Sequence, residues 1–122
     1  MKGMYKTQYE GKEILCLDIS GSTSKDKEKI EEHVNLAKEA VKQYPPKSAL
    51  MITNVTNTGF DSAVSSMIKE YAQHNTPYVK ASALVGISGL QKVILTAVKK
   101  ITGRDYYLAD AMEEALEWLV KQ

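Results

Sequence analysis

Short runs dense in apolar residues alternate along this chain with longer stretches whose apolar positions recur every three or four residues. Dense runs read as strands, whereas the wider spacing puts side chains on one face of a helix. Residues 5–10 and 13–19, separated by the turn Glu10-Gly11-Lys12, predict a short edge strand or hairpin. The second run is mostly apolar, as in a strand covered on both faces, and Gly21 breaks it. Ile30, Val34, Ala37 and Val41 then form a stripe among Lys and Glu. Thr23 with Asp26 matches a capping box, whose side chains satisfy free N–H groups at a helix start. Pro45-Pro46 closes the segment, since proline lacks an N–H and forces its neighbour out of the helical region.

The unit recurs three times. Ala49-Leu50-Met51-Ile52 with Val55 predicts a strand, and Val64, Met67, Ile68, Tyr71 and Ala72 predict the helix after it. Residues 78–87, introduced by Pro77, predict the next strand. Leu90, Val93, Ile94, Ala97, Val98 and Ile101 give the cleanest helical stripe, opened by a Ser88–Gln91 capping box and closed by Gly103. Tyr106-Tyr107-Leu108 predicts a short last strand. Asp110 with Glu113 opens a final helix with the stripe Met112, Ala115, Leu116, Leu119 and Val120. Helices between successive strands act as crossovers, so the expected class is α/β. The architecture is a strand–helix superhelix of four βα turns, with a mainly parallel sheet and a short N-terminal edge strand. Residues 1–122 read as a single domain, without a linker or low-complexity segment.

Composition narrows the function. A net charge of +1 gives no electrostatic reason to expect nucleic acid or an acidic membrane surface. No run approaches the roughly 20 apolar residues of a spanning helix, and Met1-Lys2-Gly3-Met4-Tyr5 lacks the apolar core of a signal peptide. The expectation is a cytoplasmic protein. Cys16, the single cysteine, stands in an apolar run and reads as a buried, inert thiol. His33 and His74 have no ligand-like spacing to other residues and read as surface or helix-end histidines, so no metal or cofactor is expected.

The run 51–62, MITNVTNTGFDS, resembles the segment of STAS domains in which an apolar strand leads through a polar loop to an Asp-Ser at a helix start. The later motifs VGISGL, GRD and EEALEWL resemble a branch of small stand-alone STAS proteins, similar to the bacterial anti-sigma-factor antagonists. The resemblance covers almost the whole chain in element order. It implies a non-enzymatic module that regulates by binding another protein. In the antagonists, a serine at the start of the second helix is phosphorylated by a partner kinase, and the phosphate abolishes partner binding. The matching residue here is Ser62, after Asp61. Where the antagonists continue with a hydroxyl residue and a glycine, this chain has Ala63-Val64. The docking segment implied by the resemblance comprises Thr56, Asn57, Thr58, Asp61 and Ser62. Asp61 or Ser62 also serves as a helix N-cap on its own terms.

Ser88 lies in Gly86-Ile87-Ser88-Gly89-Leu90, which lacks the last glycine of a nucleophile elbow. Its capping role with Gln91 accounts for it, and with Lys92 it forms a weak anion site at a helix start. Lys80, Lys92, Lys99, Lys100 and Arg104 fall in a stretch without acids, and Asp110, Glu113, Glu114 and Glu117 follow, a pattern that neighbouring helices would neutralise by pairing. Loops at the carboxyl ends of the strands supply Ser20, Gly21, Ser22, Thr56, Asn57, Thr58 and Ser88, without a general base or nucleophile pair. The leading expectation is a protein-binding module, as a monomer or homodimer. The alternative is a carrier or sensor of a lipid or other small apolar ligand, lined by Met51, Met67, Ile68, Tyr71 and Met112. STAS domains are similar to lipid-binding CRAL-TRIO domains in strand–helix arrangement, which is analogy of fold.

Overall fold

The computed structural model describes residues 1–89 and 91–122; Leu90, the first position of the third helical stripe and the last of VGISGL, lies outside the described residues. β1 (Gly3–Tyr9) and β2 (Lys12–Asp18) form an antiparallel hairpin in which Tyr9 faces Lys12. Glu10 and Gly11 make its two-residue turn with φ of 49° and 79°, the left-handed pair that a type I′ turn requires.

β3 (Ala49–Asn54), β4 (Val79–Val85) and β5 (Tyr107–Ala109) continue parallel to β2, and the spatial order β1-β2-β3-β4-β5 is the chain order. The crossovers are α1 (Lys27–Val41), α2 (Ser62–Asn75) and α3 (Gln91–Thr102), and α4 (Met112–Leu119) follows β5.

Two cores form because successive strand residues point to opposite faces. Leu15, Leu17, Ile19, Met51 and Val79 join Ile30, Val34 and Val41 of α1 and Val64 and Tyr71 of α2. Ile14, Cys16, Leu50, Ile52, Ala83 and Val85 join Ala115 and Leu119 of α4 on the other face. This two-sided burial explains the continuous apolar character of β2. Trp118 of α4 stacks on Tyr107 of β5, with ring centroids 4.6 Å apart and planes within 6°. Lys38 of α1 and Glu70 of α2 pair at 2.6 Å, and that contact holds the Glu70 carboxyl below its ordinary range.

Three sequence expectations change. Thr23 and Asp26 do form a capping box, but it opens a 3-10 turn (Ser24–Asp26) that leads into α1. On α3 the inward face is Gln91, Leu95 and Val98, whereas Val93 is 69% exposed and Ile101 is 46% exposed. Ile94, expected at the centre of the buried stripe, is half-buried. The buried polar Gln91 fixes the helix rotation, and an apolar count could not register it. At α4, Ala111 is the N-cap without a side-chain bond. Instead the Asp110 N–H donates to Glu114 Oε1 at 3.2 Å, and the Tyr107 hydroxyl donates to Glu114 Oε2 at 2.7 Å.

His33 also has a structural role. Its Nδ1 accepts from the Met4 N–H at 3.1 Å, and its ring fills the space where a side chain at Gly3 would lie.

Candidate functional site

The loops after β2 and β3 repeat one device. Asp18 Oδ1 accepts from the Ser20 N–H at 2.9 Å and from its hydroxyl at 2.6 Å. Asn54 Oδ1 accepts from the Thr56 N–H at 3.1 Å and from its hydroxyl at 2.7 Å. Asp18 and Asn54 are register partners in adjacent parallel strands, so the two side-chain turns stand side by side. The loops are also joined directly. Gly21 N–H donates to Thr56 O at 2.9 Å, Gly59 N–H to Ser22 O at 2.8 Å, and the Thr58 hydroxyl to Ile19 O at 2.8 Å. Gly86 completes the edge: a Cβ there would come within 2.1 Å of Thr56 Oγ1, so only glycine admits the β4 loop so close.

These bonds sort the sequence-derived candidates. Thr58 is buried and bonded inward, and the Thr56 hydroxyl is committed to Asn54. Asn57 is exposed at the loop apex with φ of 52°. Asp61 is the N-cap of α2, its Oδ1 accepting from the Val64 N–H at 2.8 Å, with Lys27 Nζ 3.8 Å from its other oxygen. Ser62 is the first residue of α2 and is exposed. Asn57 and Ser62 are therefore the outward members of this set, on a base held rigid by hydrogen bonds.

At the start of α3, Ser88 and Lys92 are both exposed. Gln91 Oε1 already accepts from the Ser88 N–H at 3.2 Å, so one donor of the expected anion site is occupied. The reciprocal bond from Gln91 to the Ser88 side chain is not found among the described residues. Gln91 instead turns inward, donating from Nε2 to Thr58 O at 2.9 Å and to Val55 O at 3.4 Å. Sequence reasoning missed this tie between α3 and the β3–α2 loop.

A second feature lies between α2, α3 and the sheet. α3 packs on α2, and its Leu95 and Val98 border the same space as Met51 and Leu84 of the sheet. Leu95 and Val98 are buried, yet they belong to neither core. The gap is a cavity of about 50 Å³, lined by apolar residues that include Met51, Ile68, Leu84 and Leu95. Of the five residues expected to line an apolar pocket, Met51, Ile68 and Tyr71 do so. Met67 packs on the first core, and Met112 packs on the opposite face of the sheet.

Thr53, Asn75, Ser82, Gln91 and Arg104 interrupt the apolar lining, and Tyr71 also borders it. Arg104 donates from Nε to Thr76 Oγ1 at 3.2 Å, from Nη1 to Ser82 Oγ at 3.0 Å, and from Nη2 to Ala72 O at 3.2 Å. Its guanidinium carbon lies 4.9 Å from the centre of the Tyr106 ring. Among the described residues no carboxylate pairs with it. Burial lowers its pKa, although an arginine stays charged. The Tyr71 hydroxyl is buried without a hydrogen-bond partner among the described residues. Burial raises its pKa, and Asn75 acts the other way without reaching bonding geometry.

Among the described residues no ion pair joins the basic stretch to the acidic one. α3 and α4 sit on opposite faces of the sheet, and none of the four ion pairs among the described residues involves Lys92, Lys99, Lys100, Glu113, Glu114 or Glu117. Cys16 is buried, and burial pushes its thiol up to about 11. No cluster of three or more His, Cys, Asp or Glu among the described residues could hold a metal ion. No described helix is long and apolar enough to cross a membrane.

No protein-family model matches the chain, and no curated protein matches it. A solved structure does: an uncharacterized protein of the DUF3478 family from Shewanella loihica PV-4, described as having a SpoIIAA-like fold. The two are 15% identical, superpose with a TM-score of 0.71, and the match covers 96% of this chain and 92% of that one. At such identity the likeness speaks for the fold alone, and it agrees with the element order and the hairpin described above. The chain therefore has a SpoIIAA-like α/β fold, the architecture of STAS domains and anti-sigma-factor antagonists.

Proposed function

We propose that this chain is a cytoplasmic binding module, without catalysis of its own, which docks another protein on the edge formed by residues 56–62. One observation carries the reading. Asn57 and Ser62 project from a loop base whose other polar groups are consumed by internal bonds. A rigid base with a few outward polar groups suits recognition, because little entropy is lost on docking. Among the described residues the Thr56 and Thr58 hydroxyls donate to an amide and a carbonyl, and no carboxylate or imidazole is bonded to the Ser62 hydroxyl, so this edge lacks the usual base-activated nucleophile. A SpoIIAA-like fold supports a regulatory role of this kind. A phosphate on Ser62 would sit at the N-terminus of α2, where the helix tolerates it, and would place roughly two negative charges at the centre of the docked patch.

The test is affinity capture with wild type, Ser62→Ala and Ser62→Glu, with partners identified by mass spectrometry. A partner kept by the first two and lost by Ser62→Glu, at equal melting temperatures, supports the reading. Equal capture by all three moves the interface elsewhere. A second reading, a carrier or sensor of a small apolar ligand, is favoured by the cavity between α2, α3 and the sheet.

A further inference from the structure

We propose that the cavity between α2, α3 and the sheet takes a small carboxylate with an apolar body, its head paired with Arg104. This rests on the second reading above and adds the chemical class of the ligand. Two features converge on it among the described residues, the unpaired Arg104 and the unsatisfied Tyr71. Arg104 lines the cavity as a partly buried cation without an acid partner among the described residues. Its protein partners are two hydroxyls and one carbonyl, and Nη1 and Nη2 each retain one N–H without a protein acceptor. Two donors on adjacent nitrogens match the two oxygens of a carboxylate. Tyr71 lines the same cavity, and its hydroxyl is buried without a hydrogen-bond partner among the described residues. Such groups are costly to leave unsatisfied, and a ligand oxygen would satisfy this one.

The apolar body follows from the remaining walls, which are mostly apolar beside Thr53, Asn75, Ser82 and Gln91. Met51, Val55, Ile68, Leu84, Leu95 and Val98 offer it only hydrocarbon. The cavity measures about 50 Å³, where one water needs roughly 10–15 Å³. The cavity therefore has room for a few waters, or for a body of about the same bulk. A long acyl chain would require α3 to move away from the sheet. Charge sets the sign of the head: the lining contains a cation and no anion, so an ammonium head is disfavoured and a neutral one leaves the guanidinium uncompensated.

The experiment is NMR titration of the chain 1–122 with hexanoate, hexanol and hexylamine, which share one body and differ in the head. Hexanoate should move the Arg104 Nε–H signal and the methyl signals of Leu95 and Val98. It should bind about tenfold or more tightly than hexanol, since hydrogen bonds to charged groups contribute that much. Hexylamine should bind more weakly than either. Arg104→Gln should erase the preference for hexanoate over hexanol. Should that variant fail to fold, the Arg104 Nε–H response in wild type decides alone. Equal affinity for hexanoate and hexanol, with the Leu95 and Val98 methyls moved by both, would overturn the role of Arg104 and leave an apolar-ligand site. If none of the three compounds moves those methyls at millimolar concentration, the proposal and the second reading both fall.

Discussion

Replacing Gln91 tests how α3 is held to the rest of the molecule. Its side-chain amide donates to Thr58 O at 2.9 Å and to Val55 O at 3.4 Å, and the residue is 7% exposed. Val55 O keeps a second donor, the Thr58 N–H at 3.1 Å, so Gln91→Leu orphans chiefly Thr58 O. The Ser88 N–H also loses its acceptor, but Ser88 is exposed and water can replace the bond. One buried, unsatisfied carbonyl costs about 1–3 kcal/mol. Leucine is close to glutamine in size, so little cavity is added, whereas Gln91→Ala should cost more. At about 4 °C per kcal/mol for a domain of this size, Gln91→Leu should lower the melting temperature by about 4–12 °C. Equilibrium urea unfolding measures the same loss directly. Gln91→Glu sharpens the test, because its ionised carboxylate would face a carbonyl. That variant should be the least stable at neutral pH and recover in mild acid, where the protonated group can donate. A loss below about 0.5 kcal/mol for Gln91→Leu, with no pH dependence in Gln91→Glu, would refute the bond to the β3–α2 loop.

Other consequences are equally specific. Gly86→Ala would bring a Cβ within 2.1 Å of Thr56 Oγ1 and 2.6 Å of Thr56 Cα at φ of +80°, so a loss of about 2–4 kcal/mol is expected from overpacking and backbone strain, measured by chemical unfolding. Val93→Ala should change stability by less than about 0.5 kcal/mol and Leu95→Ala by about 2 kcal/mol or more, since Val93 is 69% and Leu95 7% exposed. Cys16 should resist a disulfide reagent at pH 8 until the chain unfolds. Its folded value of about 11 exceeds the ordinary 9.0, so the unfolded chain releases the proton first and the stability this group contributes is lost as pH rises from about 9 toward 11. Cys16→Ala should flatten that part of the pH profile.

The element order was legible because periodicity reports which side of each segment meets a core. β2 is apolar at every position from Ile14 to Leu17 because both faces are covered. Elements at the limits of that signal were misread. The rotation of α3 is set by Gln91, whose role depends on carbonyls of residues 55 and 58, and no count of apolar positions contains that information. The cap of α4 failed for a related reason: Glu114 serves Tyr107 and Asp110 across the turn, a geometry that spacing alone does not distinguish from an Asp110–Glu113 box. At the candidate edge the sequence singled out Ser62 by resemblance and offered Asp61 or Ser62 as a cap, and only the fold separates inward Thr58 from outward Asn57. Arg104 was visible as one more basic residue. What sets it apart is that no carboxylate pairs with it among the described residues, a property of three-dimensional neighbours.

Amide hydrogen exchange of the chain with and without a captured partner tests the docking edge most directly. Docking there should slow exchange in residues 56–66, the loop apex and first turn of α2, and leave the outer face of α3 unchanged. Protection confined to the α3 segment that carries Lys92, Val93, Lys99 and Lys100, with residues 56–66 exchanging as in the free chain, would contradict it.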